Sequence, residues 1–419
     1  MKRIESCLYK FIWKGNDKVK RNTLIQDYKN GGLKMLDLET AEKKQCVKWI
    51  QRFLEPKVIS PWKMVLKEYI KPYGDLNLIL FSNFDEKEMS IYLPSFYQNM
   101  FHHWKDFYAS NNAYGKELLW FNKEVKIKGK CVYEKEMYNI GIKTLSDLYT
   151  EDGEAIPFNN WVEKGLNQNK YFRWRALVSC TWSKRLKAHE QAKSNQNTVT
   201  INGKEIEITE VGQRDLYDFF LKSKLDKTSP IIEKYKTEYN LNNDDVEYLF
   251  LLPRKCTIDS KLKELQYKII YKYLPTNKKL FQYNLKESNT CDLCHFLPES
   301  VKHLFWECNY SKTVWIQFYD WWNSINKSYT PQFDERVILF GTRKENQGTE
   351  GILLFNHLLL LIKKYILNHK MHQINFHGVL RKIHETMKIE KQIGNKNNQI
   401  ERYLEKWGKF QQVLNDMFP

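Results

Sequence analysis

The 419-residue chain is long enough for two or three domains, which excludes a single small disulfide-stapled module. Hydrophobic residues make up 42% and aromatics 15%, with 13 Trp and 25 Tyr, so the composition excludes a disordered protein and supports sizeable cores. Lys and Arg number 67 against 50 Asp and Glu, a formal net charge of +17, which favours nucleic acid or anionic lipid as partner unless a Lys- and Asn-rich proteome has simply raised the charge.

The N-terminus carries Glu5 and Lys10 where a signal peptide needs an unbroken apolar stretch. Phe11, Ile12 and Trp13 predict an extended piece running to the Gly31-Gly32 punctuation. A helix should then start near Leu38, with Ala41, Val47, Ile50 and Leu54 near one face. From Ile91 to Tyr108 aromatic residues recur at helical spacing behind Pro94, which predicts a buried helix face. The chain turns polar from Lys184 to Asn197, the best internal boundary. Beyond it Val199 and Ile201 alternate up to Asn202-Gly203, with Ile206 and Ile208 alternating after it. Asn-Gly between alternating apolar residues is the strongest short-range hairpin signal, so a β-hairpin is expected over Thr198 to Ile208. After Gln213 the pattern is mostly helical. The longest apolar run, Ile352 to Ile362, is broken by Asn356 and His357 and falls far short of the roughly 18 to 20 residues of a membrane span. A soluble intracellular protein of nucleus and cytoplasm, with no membrane partner, is therefore expected. Its eight Cys should be reduced, and a cysteine cluster then reads as metal or catalysis.

Such a cluster stands at Cys291-Asp-Leu-Cys294, followed by His303 and Cys308. A d¹⁰ zinc ion accepts tetrahedral thiolate and imidazole ligands, and three Cys with one His close its coordination sphere, so the pattern predicts one structural Zn²⁺. A redox CxxC would need neither His303 nor Cys308; it and unliganded thiols are the alternatives. His295 is a further substitute ligand, and Lys302 and Lys312 stand near enough in sequence to offset the net negative charge of three thiolates on Zn²⁺. Other candidates are weaker. His369, His372, His377 and His384 read as a solvated helix face, and Asp244-Asp245 as a helix start in preference to a Mg²⁺ pair. The remaining Cys7, Cys46, Cys131, Cys180 and Cys256 are isolated and expected to be buried. No phosphate-binding GxxxxGK[ST], GxSxG or HExxH motif occurs. For nucleic acid, Tyr171-Phe-Arg-Trp-Arg175 with Trp182, Lys184 and Arg185 offers cations for phosphates and flat faces for bases, and Lys363-Lys364-Tyr365 is a smaller instance. The candidate contacts are therefore Arg173, Arg175, Lys184, Arg185, Lys363 and Lys364.

The run from Leu265 to Trp322, with Leu274-Pro-Thr-Asn277, the CxxC, His303-Leu-Phe-Trp-Glu-Cys308 and Trp315, resembles the zinc-binding module of non-LTR (LINE-type) retrotransposon reverse transcriptases. Phe11-Ile-Trp-Lys-Gly15, Gly31-Gly-Leu33 and Asp37-Leu38 resemble the segment that follows the polymerase core in the same polyproteins, and Lys363 to Trp407 resembles their tail. The family's aromatic-x-Asp-Asp palm motif is missing, since no Tyr or Phe stands two residues before Asp244-Asp245, and no endonuclease domain is present. The resemblance thus implies the C-terminal, post-polymerase part, with no catalytic residues.

The fold expected is mainly α: multi-helical domains with a small β-hairpin and a CCHC zinc-binding module. Its segments are 1–60, resembling the region after the polymerase core; 61–190, aromatic-rich and helical; 198–290, the hairpin and the helices leading to the zinc module; 291–322, the module itself; and 323–419, a helical tail. The expected function is noncatalytic binding of RNA or DNA, with an intact retrotransposon polymerase as a further partner. A protein-interaction or structural module, and an inert truncated remnant of such an element, are the alternatives.

Overall fold

A computed structural model describes residues 2–55, 60–74, 76–83, 93–111, 118–187, 198–201, 203–225, 230–326, 331–343 and 351–418. The fold is mainly helical, with two small antiparallel two-stranded sheets. In chain order the principal elements are α1 (Lys2–Trp13), α2 (Leu38–Leu54), α3 (Ser95–Asn111), β1 (Lys126–Ile127), β2 (Lys130–Cys131), α4 (Tyr171–Thr181), β3 (Thr198–Ile201), β4 (Lys204–Glu207), α5 (Gln213–Lys222), α6 (Asn243–Cys256), α7 (Ser260–Ile270), α8 (Asn309–Ile325), α9 (Ile352–His369), α10 (Phe376–Lys396) and α11 (Ile400–Met417). The contacts divide the chain into one unit of Leu36–Lys224 and another of Lys2–Met35 with Leu225–Pro419.

In the first unit α2 begins where Asp37 accepts the backbone N–H of Thr40 at 2.9 Å, a side-chain cap for one of the helix's orphan donors. Val47 and Ile50 point into a core shared with the aromatic face of α3, where Tyr97, Phe101, Trp104, Phe107 and Tyr108 are buried. The expected hairpin forms, pairing Thr198 with Glu207 and Ile201 with Lys204. Gly203 has φ +77°, a left-handed conformation that glycine adopts without strain, while Asn202 lies outside the described residues. Val199 and Ile201 join the same core, and Gln51 of α2 donates to the carbonyls of Ile208 and Val211 at 2.6 and 3.0 Å. The hairpin therefore belongs with the residues before it. The units part between residues 224 and 225, not at the polar stretch from Lys184 to Asn197, most of which is outside the described residues.

The second unit opens with a correction. Phe11, Ile12 and Trp13 lie on helix α1, not in an extended segment. A short apolar run does not distinguish strand from helix. Here Tyr9 and Trp13, one turn apart, pack with Val19, Leu24 and Tyr273. Gly31 then passes so close to Tyr271 and Phe250 that a Cβ would collide with both, and Tyr267 and Tyr271 donate to its carbonyl at 3.1 and 2.8 Å. Trp315, Phe318 and Trp322 of α8 form the main core with Phe355 of α9 and Trp407 and Phe410 of α11. No helix among the described residues is long and apolar enough to cross a membrane. The broken apolar run is instead α9, whose interrupting polar residues are buried: Asn356 donates to the carbonyls of Ile352 and Thr342 at 2.8 and 3.0 Å.

Candidate metal centre and basic surfaces

Residues 289–299 form a short knuckle. The Cys291 N–H donates to the Leu297 carbonyl at 2.8 Å, that of Glu299 donates to Asn289 at 2.8 Å, and His295 turns the chain with φ +60°. This turn presents Cys291 and Cys294 together. The other two donors come from a π-helical turn, His303–Glu307, closed by the Cys308 N–H on the His303 carbonyl at 2.8 Å. Five residues on an α-helix advance about 140° past a full turn. The wider i→i+5 turn brings Cys308 back over His303. Two carbonyls of this turn are met by side chains of α8: Ser311 Oγ donates to Leu304 at 2.6 Å and Trp315 Nε1 to Phe305 at 2.7 Å.

One donor atom from each of Cys291, Cys294, His303 and Cys308 lies within 4.8 Å of every other. Cys291 Sγ is 4.0 Å from Cys308 Sγ, and Cys294 Sγ is 3.3 Å from His303 Nε2. Ligand bonds of about 2.3 Å to sulfur and about 2.05 Å to nitrogen give tetrahedral edges of roughly 3.8 and 3.6 Å. The set is therefore suited to zinc as it stands. Hydrogen bonding from the Cys291 thiol lowers the Cys308 thiol to about 7, helped by the Ser311 and Tyr310 N–H groups at the start of α8, while burial works against it. The Cys291 thiol is raised, first by its bond to Cys308 and then by burial. One member of the pair is thus poised to be the thiolate a metal requires.

Behind the knuckle sits Glu299, fully buried, which no feature of the spacing singled out. Lys370 Nζ is 2.6 Å from its Oε1 and 3.3 Å from Asp292 Oδ2, and the Asn277 N–H donates to Glu299 Oε1 at 3.0 Å. Asn277 also donates to the Thr290 carbonyl at 2.7 Å, so the Leu274-Pro-Thr-Asn277 string ties down the knuckle. Burial pushes the Asp292 carboxyl up, but Lys286, Asn277 and Lys370 outweigh it and hold it below its usual range. His295 is exposed and outside the donor set, and Lys302 pairs with Glu335 at 2.7 Å. A second group, His102, His103 and Asp106 on α3, offers three donors, which leave a tetrahedral sphere open.

The knuckle also presents apolar surface to solvent. Phe296 at its tip is 86% exposed, and Phe281, Tyr283 and Leu285 are exposed beside Lys278. No ligand spacing marks these residues in the sequence, where an aromatic residue next to the CxxC turn is the one signal of them. In the first unit Arg173 and Arg175 are exposed on α4 with Tyr171 and Phe172. On the following 3₁₀ turn Arg185 stacks 4.2 Å over Trp182, and Lys184 pairs with Glu124 at 2.7 Å.

Several expectations are corrected. Lys363 is 1% exposed and donates to Gln266 Oε1 at 2.7 Å and the Leu339 carbonyl at 3.0 Å, so it offers no cation to a phosphate. It lies on the buried stripe of α9 with Leu359 and Ile366. Lys364 is half-buried. His384 is buried on the Leu380–Met387 stripe of α10, its Nε2 3.2 Å from Asn415 Oδ1, and is not part of a solvated face. Of the isolated cysteines only Cys256 is buried; Cys7 is exposed and the other three are half-buried. Of the acidic pair Asp245 is structural, because Asn242 and Asp245 exchange capping bonds at 2.8 and 3.1 Å and Asp245 faces Arg336 and Arg343, while Asp244 is exposed.

Comparison with known proteins meets this geometry at the knuckle. A family described as zinc-binding in reverse transcriptase matches residues 237–315, a stretch that contains all four donors and ends at Trp315. That part of the chain is similar to a reverse-transcriptase zinc-binding domain. No curated protein matches the chain.

Proposed function

We propose that the chain is a noncatalytic nucleic-acid-binding protein built on one structural Zn²⁺, derived from the C-terminal part of a LINE-type retrotransposon reverse transcriptase. The carrying observation is a zinc-suited knuckle that exposes Phe296, with Phe281, Tyr283 and Lys278 on the adjoining segment. Exposed aromatics stack on unpaired bases while cations track phosphates, which favours single-stranded RNA over duplex DNA. The net charge of +17 and the Arg173, Arg175, Lys184 and Arg185 segment support the same reading, and an intact polymerase of the same type is the natural partner. The commitment of Asp245 to a cap and two arginines supports a noncatalytic role.

Anisotropy of labelled single-stranded RNA against salt tests this. About five neutralised phosphates give a slope of log affinity on log salt near −3.5, at roughly −0.7 each. Removing both Phe296 and Tyr283 as Ala should weaken binding with the slope unchanged. Replacing Arg173, Arg175, Lys184 and Arg185 with Ala should flatten the slope by about one per true contact. A second reading, a protein-interaction module, is favoured by Ile4, Leu8, Phe11 and Ile12, left exposed along α1. It takes over if RNA affinity at near-physiological salt is weaker than about 10⁻⁴ M.

A further inference from the structure

The second unit contains a cavity of about 460 Å³, bounded by the C-terminal end of α6, the start of α9 and parts of α10 and α11. Its size falls within the roughly 300 to 1,000 Å³ of small-molecule sites. One wall is built from a half-buried ion pair. Lys406 Nζ donates to both Glu390 oxygens at 2.8 and 3.1 Å and to the Cys256 carbonyl at 3.0 Å, and Trp407 Nε1 donates to Glu390 at 2.6 Å. The Glu390 charge is thereby neutralised. Arg254, Lys255 and Arg402 also line the cavity, and Glu405 is the other carboxylate among its lining residues. Four cations face two carboxylates, a surplus of two positive charges. Among the described residues neither Lys255 nor Arg402 has a carboxylate partner; the Arg254 guanidinium carbon lies 3.3 Å from the Tyr28 ring centroid and Lys255 Nζ 5.4 Å from that of Tyr248. The rest of the lining includes Ile258, Leu353 and Ile393, three aliphatic side chains exposed to solvent.

Cations without a carboxylate partner beside exposed aliphatic surface match a ligand that is anionic at one end and apolar at the other. We propose that this cavity binds one nucleotide, its phosphate against Lys255, Arg402 and Arg254 and its base against Ile258, Leu353 and Ile393. The inference rests on the nucleic-acid reading and gives it a place where a single nucleotide, free or at the end of a strand, is held. A phosphate dianion matches the charge surplus, and guanidinium groups suit phosphate through paired N–H donors.

The test is calorimetric titration of the intact, zinc-loaded chain with AMP, UMP, adenosine, inorganic phosphate and a short 5′-phosphorylated single strand. The monophosphates should bind at least about tenfold more tightly than adenosine or phosphate alone, because both ends of the ligand are used. The Lys255→Glu, Arg402→Glu double variant should weaken AMP by about tenfold or more with zinc content and melting temperature retained, as both side chains lie at the surface. Ile258→Asp should do the same from the base end. No AMP binding at about 1 mM, or a double variant that binds AMP like wild type, overturns the proposal. Strand binding equal in wild type and double variant, without AMP binding, removes the cavity and leaves the nucleic-acid reading standing. AMP binding that the double variant loses, with no strand binding, removes that reading and leaves the cavity as a site for free nucleotide.

Discussion

The knuckle and helix α9 both bury an ionisable side chain, and they differ in what meets it. Glu299 is enclosed behind the knuckle with Lys370 at 2.6 Å and two backbone N–H groups, so its charge is answered by a charge. Lys363 is enclosed in α9 with a side-chain amide oxygen and a carbonyl as its hydrogen-bond partners. Burial costs each ion several kcal/mol, and only good pairing repays it. The knuckle is a region whose order depends on specific polar and charged partners. The α9 core is held by apolar packing strong enough to keep a lysine that weakens it.

The largest test of this contrast removes the metal. Structural zinc in small modules is worth on the order of 10 kcal/mol or more at neutral pH. Chelation, or Cys308→Ser, should therefore melt residues 289–308 while α9 stays protected in hydrogen exchange, because its core has its own apolar contacts. Equal loss of protection in α9 would show that the two regions are one cooperative element. Zinc analysis finding no metal in protein purified under reducing conditions would remove the site altogether.

Next in size is Lys370→Met, which leaves Glu299 buried beside the half-buried Asp292 without its cation. Breaking a buried pair from one side costs about 3–5 kcal/mol. A thermal melt of the zinc-loaded protein should show that loss. Lys370→Met combined with Glu299→Gln should recover most of it, since a neutral amide needs no counter-charge. A double variant as unstable as the single would mean that Lys370 acts through packing.

The candidate metal donors were legible because zinc chemistry requires specific residue types at short spacing, and Cys291, Cys294, His303 and Cys308 come together within one knuckle and one turn. The helix at Leu38 and the hairpin near Asn202-Gly203 were legible from local periodicity and turn preference. What escaped depends on partners distant in sequence. Glu299 has a role only because Lys370, 71 residues away, reaches it. The π turn depends on Ser311 and Trp315 donating to the carbonyls of Leu304 and Phe305. Lys363 read as half of a basic pair, although its spacing from Leu359 and Ile366 already placed it on a core stripe. The contact surfaces were read from residue type alone, and burial then divided them.

Lys363 supplies a smaller, pH-dependent test. Burial lowers its ammonium from 10.5 to about 7, so between those values the unfolded chain binds more protons than the folded one. Stability contributed at this position should accordingly rise with pH from about 7 to about 10.5, and be least below 7, where both states are charged. Lys363→Met removes the titration. It should stabilise the second unit by about 1–3 kcal/mol at pH 7, a net of relieved burial and the unpaired Gln266 oxygen, with the gain fading towards pH 10.5. Denaturant midpoints across that range check it. A variant destabilised at every pH would show that the lysine's bonds outweigh its burial.

The smallest effect concerns Asp244 and Asp245, where a structural and a metal-binding role make opposite predictions. In the cap, Asn242 Oδ1 accepts the Asp245 N–H at 2.8 Å and Asp245 returns a bond to the Asn242 N–H at 3.1 Å, two orphan donors satisfied together. Asn242→Ala should cost about 1 kcal/mol of stability in the second unit. Asp245→Asn should cost less, because an amide oxygen still accepts the bond while the attraction to Arg336 and Arg343, at 3.6 Å each, is lost. Neither loss should depend on Mg²⁺, since the cap contains no open ligand position and two arginines already neutralise Asp245. Melting with and without millimolar Mg²⁺ reads the difference. If Mg²⁺ stabilises the wild type and not Asp245→Asn, the pair is a metal site, and the noncatalytic reading falls with the cap.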